Sequence, residues 1–533
     1  MNDKRRERLT RRDFIARTVA AAASVTIIPR HVLGAPGRPS ANEKLNIGCV
    51  GVAGMQGGSD VRAVSSQNIY ALCDVDLNHL NKTAGKHGSA KKYRDFRKML
   101  DAEHRNLHAV TITIPDHMHA TVALWAMERG LNVYCQKPLT HTVWEARILA
   151  KAARKYGVST QMGNQGYSCE ATRVACELIW DDRIGEVTEV HSMSGGGFSR
   201  GVTRWPSNQD VPSNLDWDLW LGRAAERPYY PKIHPVQWRG YLDYGTMMIG
   251  DWGVHMLGPA NMGLALGAPT SVECIWVQGA NEVTYPNYAV RFEFPARPCK
   301  HVPSGKMPPL TLYWYEGGAC RQFKRPAEIS DSEWRGKNTL FIGTKGYMAT
   351  GGRGESVRLV PESAMKGFKK PPRVIERVRG GHFGSWIRSC KEGGTPTCSN
   401  FTVAGPYVEW LLLGTISWRF PNQKLLWDAE KLRFTNNAQA NAFLKPQFRK
   451  GWELKDPAPP RASRPKPKPR RAPPPSTVDV KEKKASGLYN AGRQAERFGQ
   501  RPVAVQMYKR VVEEYPGTDA ARKAAARLKA MGK

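Results

Sequence analysis

The sequence predicts an α/β chain: a doubly wound parallel sheet first, then an α+β domain with a mostly antiparallel open sheet, then a short α-helical C-terminal extension. Three observations carry that reading. From residue 45 to about 165, short apolar runs alternate with helical periods, as stacked βαβ units require. Beyond 165 the chain turns to longer loops rich in Trp, Pro and Gly, with strand-like stretches among them. Past 455 a proline-rich cationic stretch gives way to helical periods again. With 533 residues, 41% hydrophobic and 24% charged, the chain can bury a large core in two or three domains, which excludes a wholly disordered or fibrous protein.

Residues 1–35 carry eight basic and three acidic side chains. In them Arg11-Arg12-Asp13-Phe14-Ile15 precedes an apolar run at 18–28 that is too short to span a bilayer, and Pro29 and small residues follow. This is the layout of a twin-arginine export signal, so an exported, periplasmic or envelope-associated protein is expected.

Strands are expected at 45–52, 69–75, 107–114, 132–135 and 158–162, with helices clearest at 120–129 and 143–156. The first strand ends in Gly51-Val52-Ala53-Gly54-Met55-Gln56-Gly57-Gly58, a turn into a helix whose N-terminal amides can hold a pyrophosphate. Against G-x-G-x-x-G, Ala53 and Gln56 stand at the second and third glycine positions. Asp74, at the end of the second strand, is placed to accept bonds from ribose hydroxyls and to repel a 2′-phosphate. These features define a Rossmann domain over 45–165 that prefers NAD to NADP.

The second domain, 166–454, is expected to hold strands at 189–194, 271–278, 288–294 and 310–315 and helices at 382–390 and 403–418. Residues 455–484 read as a tether: nine prolines and six Lys/Arg fall within 457–475. Periods at 485–498, 502–515 and 519–531 resemble little more than one tetratricopeptide unit, whose apolar face needs a neighbour. The net charge of +33 concentrates at the two ends, so no specific nucleic acid is expected; an anionic polymer or envelope protein is the expected partner of the tail. Ten cysteines without a C-x-x-C pair indicate neither a metal site nor a dense disulfide framework.

Further motifs point to a family. They are Thr113-Ile114-Pro115-Asp116-His117-Met118-His119, Tyr134-Cys135-Gln136-Lys137-Pro138-Leu139, Thr160-Gln161-Met162-Gly163-Asn164-Gln165-Gly166, Gln237-Trp238-Arg239-Gly240 and Asp251-Trp252-Gly253-Val254-His255. In order and spacing, residues 45–454 resemble the glucose-fructose oxidoreductase, inositol dehydrogenase and rhizopine-catabolism (Gfo/Idh/MocA) family. The resemblance implies a nicotinamide-dependent oxidoreductase acting on a hydroxyl-bearing carbon of a sugar or cyclitol, and a homo-oligomer built through the open sheet. It assigns Lys137, Asp251 and His255 to catalysis. It places Gly51, Ala53, Gly54, Met55, Gln56, Asp74, Pro115, His119, Gln136 and Lys137 around the cofactor, with Gln136 where Glu is usual.

Hydride transfer from an alcohol needs a base for the hydroxyl proton and a donor for the developing alkoxide. If 250–264 is helical, Asp251 and His255 share a face, and the carboxylate can orient the imidazole. An ordinary histidine titrates near 6.5, which suits His255 to acid/base work, while Lys137 polarises the same oxygen. Asn164, Trp238, Arg239 and His255 are the expected substrate contacts. Asp116 reads equally well as an N-cap, His117 as a cofactor or sugar contact, and Cys135 as a buried strand residue. Two other functions stay open: glycoside cleavage by transient oxidation, elimination and re-reduction with no net turnover of NAD, and a non-catalytic envelope adaptor on the same fold.

Overall fold

The computed structural model describes residues 44–197, 202–393, 396–455, 457, 477–497 and 501–532. The expected export signal and almost all of the proline-rich stretch lie outside the described residues. The chain divides into two compact units, Met1–Arg464 and Pro465–Lys533.

The first unit opens on six parallel strands: β1 (Asn46–Val50), β2 (Asn68–Cys73), β3 (Lys91–Tyr93), β4 (Ala109–Ile112), β5 (Asn132–Cys135) and β6 (Thr160–Met162), in the order β3-β2-β1-β4-β5-β6. The order reverses beside β1, so the crevice between β1 and β4 is where such a sheet takes its ligand. Apart from the edge strand β3, the strands are largely apolar because both faces are covered. Connecting helices are α1 (Gly57–Ala63), α2 (Leu77–Ala84), α3 (Phe96–Glu103), α4 (Asp116–Glu128) and α5 (Val143–Tyr156). A capping box between Thr142 and Glu145 starts α5, and Gly157 at φ 58° ends it. Asp116, His117, Met118 and His119 are all buried on the first turn of α4, which faces the second domain.

After α6 (Glu170–Trp180) the chain builds a second sheet from β7 (Val187–Ser194), β8 (Ser271–Gln278), β9 (Asn287–Phe294), β12 (Leu310–Glu316), β13 (Thr339–Gly343), β14 (Gly346–Thr350), β15 (Val357–Val360), β16 (Leu425–Asp428) and β17 (Arg433–Phe434). Its order is β15-β14-β13-β7-β12-β9-β8-β16-β17; β10 (Arg297–Pro298) and β11 (Lys306–Met307) form a separate small hairpin. The sheet is antiparallel except for β7 against β12, where Thr311 pairs with Glu189.

Two late helices depart from the expected domain division. In α7 (Gly381–Glu392), Phe383 stacks on Tyr134 of β5 at 4.1 Å, and Trp386 joins the core built on β1 and β2. In α8 (Phe401–Leu412), Gly405 lies so close to α5 that a Cβ would stand 2.7 Å from that of Ala150. Arg147 Nε and Nη2 donate to Glu409 across the same contact at 2.7 and 2.6 Å. Helices α7 and α8 thus pack on the first domain, and Trp410 of α8 also meets Phe292 and Phe294 of β9 at 5.3 Å. The helix expected at 403–418 breaks once: α8 stops at Leu412, and a second short helix, Gly414–Ser417, follows.

The second unit consists of α9 (Thr477–Arg497), α10 (Arg501–Glu514) and α11 (Asp519–Ala530). Helix α9 starts at Thr477, so residues 477–484, read as tether, are helical. Ala485, Ala504, Tyr508, Val511, Ala521 and Ala524 form its core. The face expected to need an outside neighbour is partly covered by α11, whose alanines allow close approach.

Candidate active site

A cleft of about 650 Å³ runs along the C-terminal ends of the parallel strands and is lined by both sheet domains. Its glycine-rich wall follows from sterics. Gly51 has φ 79°, and a Cβ there would stand 2.1 Å from the Thr113 carbonyl oxygen; one on Gly57 would stand 2.6 Å from the Gly51 oxygen. Gly57, not position 56, therefore takes the third glycine's task of close strand–helix packing, and Gln56 is the cap residue before α1. Ala53, Gly54, Met55 and Gln56 line the cleft, Met55 with 58% exposure. Asp74 closes the second strand as expected. Its Oδ2 accepts from Val52 N and its Oδ1 from Asp76 N, both at 3.0 Å, which ties the turn to β2.

At the far end of this half of the cleft the second domain folds over. Leu77 N donates to Asn214 O at 2.9 Å, Asp216 N to Val75 O at 3.0 Å and Asn214 Nδ2 to Asp76 Oδ1 at 2.8 Å. His234 Nε2 approaches Asp76 Oδ2 at 3.3 Å, with His79 beside it. Among the described residues, Asp76, His79 and His234 are the Asp/His group compact enough to suit a metal ion, which the sequence did not suggest. Asp76 Oδ1 already caps α2 and holds Asn214, and Oδ2 faces His234, so the trio acts as the latch between domains.

The other end gathers the catalytic candidates. Lys137 Nζ donates to Asp251 Oδ1, and Arg239 Nε lies 3.6 Å from the same oxygen. Burial opposes ionisation, but Lys137 and Arg239 together hold the Asp251 carboxyl below the ordinary carboxylate range. Asp251 sits on a π-turn, Ile249–Gly253, that precedes the short helix Val254–Met256, instead of one continuous α-helix. Its hydrogen bond goes to Lys137, not to His255. Burial, then the Lys137 charge, push the His255 imidazole well below its usual range, so it is neutral at pH 7. His255 Nδ1 is buried without a hydrogen-bond partner among the described residues.

The π-turn is propped from below. Glu316, at the end of β12, accepts from Met248 N at 3.2 Å, Ile249 N at 3.1 Å and Trp314 Nε1 at 3.0 Å. Burial lifts its carboxyl to about 8. Gly250 is needed above it, since a Cβ there would fall 1.9 Å from Thr246 Oγ1. That hydroxyl donates to Asp116 Oδ2 at 2.7 Å. Asp116 is not a cap: Pro115 takes the cap position, and the carboxyl points into the cleft wall, where burial lifts it to about 7. An acid after Pro at a helix start has the sequence signature of a cap, which hides the buried carboxyl found here.

Pro115, Gln136, Trp238, Arg239 and His255 also line the cleft, with the Arg239 guanidinium 4.3 Å over the Trp238 ring. Three other expectations are not met. His119 is 1% exposed, its Nδ1 2.7 Å from Pro138 O and its Nε2 2.8 Å from Ile114 O, so it ties the ends of β4 and β5 together behind the cleft. Asn164 is fully buried, where its Oδ1 accepts from Ser399 Oγ at 2.6 Å, and does not line the cleft. His117 is turned to Trp220 O at 3.2 Å. Cys135 is buried on its strand as expected. Trp252, Gln165 and Arg353 are cleft residues that the sequence did not single out.

A parallel sheet of this order with a glycine-rich turn at its switch point is a dinucleotide-binding architecture. Residues 45–164 match the oxidoreductase family described as NAD-binding Rossmann fold, and residues 198–285 match that family's C-terminal alpha/beta domain. Both matches are to models of the Gfo/Idh/MocA oxidoreductase family, the first to its NAD-binding domain. Similar curated proteins are D-apiose dehydrogenase of Paraburkholderia graminis, 34% identical over 18% of this chain and 25% of that one, and inositol 2-dehydrogenase of Salmonella typhimurium, 30% identical over 21% and 34%. Levoglucosan dehydrogenase of Pseudarthrobacter phenanthrenivorans is 22% identical over 33% and 45%. The chain thus spans less than half the length of these relatives. The crystal structure of an inositol dehydrogenase homolog from Azotobacter vinelandii, complexed with NADH and myo-inositol, is 16% identical, covers 72% of this chain and 98% of that one, and has a TM-score of 0.46.

Proposed function

We propose that the protein is an exported NAD-dependent oxidoreductase that moves hydride at a hydroxyl-bearing carbon of a sugar or cyclitol. One observation carries the reading: the Lys137–Asp251 pair, neutral His255 and Asp116 converge at one end of a cleft whose other end is the glycine-rich turn. Gly51–Gly57 would hold the pyrophosphate of NAD and Asp74 its ribose, and the bound cofactor would supply the hydride acceptor. The Lys137 ammonium, held by Asp251, donates to the substrate oxygen and stabilises alkoxide character. His255, kept neutral by its surroundings, can take the hydroxyl proton. Trp238, Arg239 and Trp252 offer aromatic faces and donors to a ring bearing hydroxyls. The relatives named for sugars and a cyclitol support the substrate class.

The latch made by Asp76, Asn214 and His234 across the ribose end favours a second reading. A nucleotide closed in by the second domain suits a reaction that returns its hydride, such as glycoside cleavage without net NAD turnover. The twin arginine supports export, the open antiparallel sheet a homo-oligomer, and the basic stretch before α9 an envelope or anionic-polymer contact; each is testable apart from the chemistry.

The experiment is to purify the folded protein, denature it and identify any released nucleotide, then assay sugars and cyclitols for NADH formation and glycosides for cleavage. Stoichiometric NAD with NADH formed on a sugar alcohol supports the first reading, and cleavage without change in bound NADH the second. A protein with no nucleotide and no NADH affinity refutes both.

A further inference from the structure

Three strand and turn ends of the cleft meet on one buried carboxylate. Asp60, on the first turn of α1, is 1% exposed. Its Oδ1 accepts from Gln56 Nε2 at 2.8 Å, and its Oδ2 accepts from Thr113 Oγ1 and Gln136 Nε2, each at 2.8 Å. Gln56 belongs to the glycine-rich turn, Thr113 follows β4, and Gln136 follows β5 and precedes Lys137. All three line the cleft, and Asp60 does not. An ionised carboxylate only accepts, so the two amides must present nitrogen and the hydroxyl its proton. Burial outweighs the pull of Gln56, Gln136, Thr113 and the Lys137 charge, so the Asp60 carboxyl sits above its ordinary range.

Gln136 is committed at both ends. Its Oε1 accepts from Lys137 N at 3.2 Å, and its amide packs on Gly163 so closely that a Cβ there would stand 2.5 Å from that oxygen. It is therefore a strut in the wall of the cleft, with both ends of its amide already engaged. The two glutamines that depart from the usual pattern, at 56 and 136, are both donors to one acid. Glu at 136 would set two carboxylates face to face.

We propose that Asp60 is a positioning residue for the dinucleotide: by clamping Gln56, Thr113 and Gln136 it fixes the spacing between the turn that receives the pyrophosphate and Lys137 at the nicotinamide end. The inference rests on the nucleotide reading of the cleft. A dinucleotide must engage both ends at once, and the ends stand on β1 and β5 with β4 between them. Slack in that spacing is lost binding, because a ligand fits both anchors only when they are held.

The test is NADH affinity by fluorescence titration, with melting temperature alongside, for wild type, Asp60→Asn, Gln136→Glu and the double variant Asp60→Asn/Gln136→Glu. The double variant exchanges acid and amide across the same bond. Each single change should weaken NADH by about tenfold, the scale of one lost charge-assisted bond. The exchange should bring affinity back to within about threefold of wild type, a recovery that loss of general stability does not produce. Thr113→Val, a milder cut, should weaken NADH by about threefold with the melting temperature kept. Wild-type affinity in Asp60→Asn or Thr113→Val, or a folded double variant no better than the singles, overturns the proposal while the nucleotide reading stands. A wild-type protein that binds no NADH overturns the nucleotide reading and the clamp with it.

Discussion

Replacing Asp116 by Asn tests the acid–base character of the cleft without any substrate. Asp116 is 3% exposed, and burial raises its carboxyl from the ordinary 3.8 to about 7, against the pull of the Thr246 hydroxyl and Arg239. In that window the folded chain holds a proton that the unfolded chain has released, so stability is greatest at the acid end and falls as pH rises towards 7. The slope for one proton is about 1.4 kcal/mol per pH unit, so from pH 5 to 7 wild type should lose about 2–3 kcal/mol through this group, and nothing further above. Asn carries no such proton and can still accept from Thr246 Oγ1. Glu316, lifted to about 8, acts in the same sense but is present in both proteins and cancels in the difference. Urea unfolding without nucleotide, followed by tryptophan fluorescence, reads the first unit alone, because all sixteen tryptophans precede residue 453. The stability of Asp116→Asn minus that of wild type should climb by about 2–3 kcal/mol between pH 5 and 7 and then level. A flat difference would refute the assignment of a raised carboxyl to this position.

Gly57→Ala puts a Cβ 2.6 Å from the Gly51 oxygen, and overpacking of this kind costs about 1–3 kcal/mol, so the NADH Kd should rise by roughly 5- to 150-fold; an unchanged Kd would mean that the turn does not hold the pyrophosphate. Lys137→Ala and His255→Ala should each lower turnover by at least about 100-fold on any sugar or cyclitol that reduces NAD, with NADH affinity falling much less in His255→Ala. Near-normal turnover in both would move the chemistry elsewhere. Deleting residues 457–533 should leave nucleotide content and rate per site within about twofold, since 465–533 form a separate compact unit; loss of bound nucleotide from a folded truncated protein would contradict this.

Local signals were legible where one element decides its own fate. Helix α5 was placed residue for residue from its apolar period, with Gly157 beyond it, and β5 and β8 likewise from apolar runs between turn residues. Strand β3 escaped because three residues at a sheet edge, two of them lysines, carry no apolar pattern. Strands β13 to β15 escaped although they form a local antiparallel run; of their pairings only β13 with β7, as Leu340 opposite His191, reaches far along the chain. At the site, the residues of the glycine, lysine and Asp-x-x-x-His motifs line one cleft, and their residue types and short spacing are legible in the sequence. What the motifs could not reveal were pairings across 53 to 130 residues: Thr113 with Asp60, Gln136 with Asp60, Thr246 with Asp116. Burial was equally hidden. It turned His119 and Asn164 from ligands into struts and took His255 out of the titrating range.

The contact between α5 and α8 bears on how the polypeptide is made. About 245 residues separate Tyr156 from Phe401, and at roughly 5–20 residues per second a ribosome needs about 12–50 s to bridge them. Throughout that interval the Ala146–Ala150 stripe, Arg147 and the ring of Tyr134 stand bare on an otherwise finished sheet, awaiting Gly405, Glu409 and Phe383. A nascent chain with so long an unfinished face is a natural client for a holding chaperone.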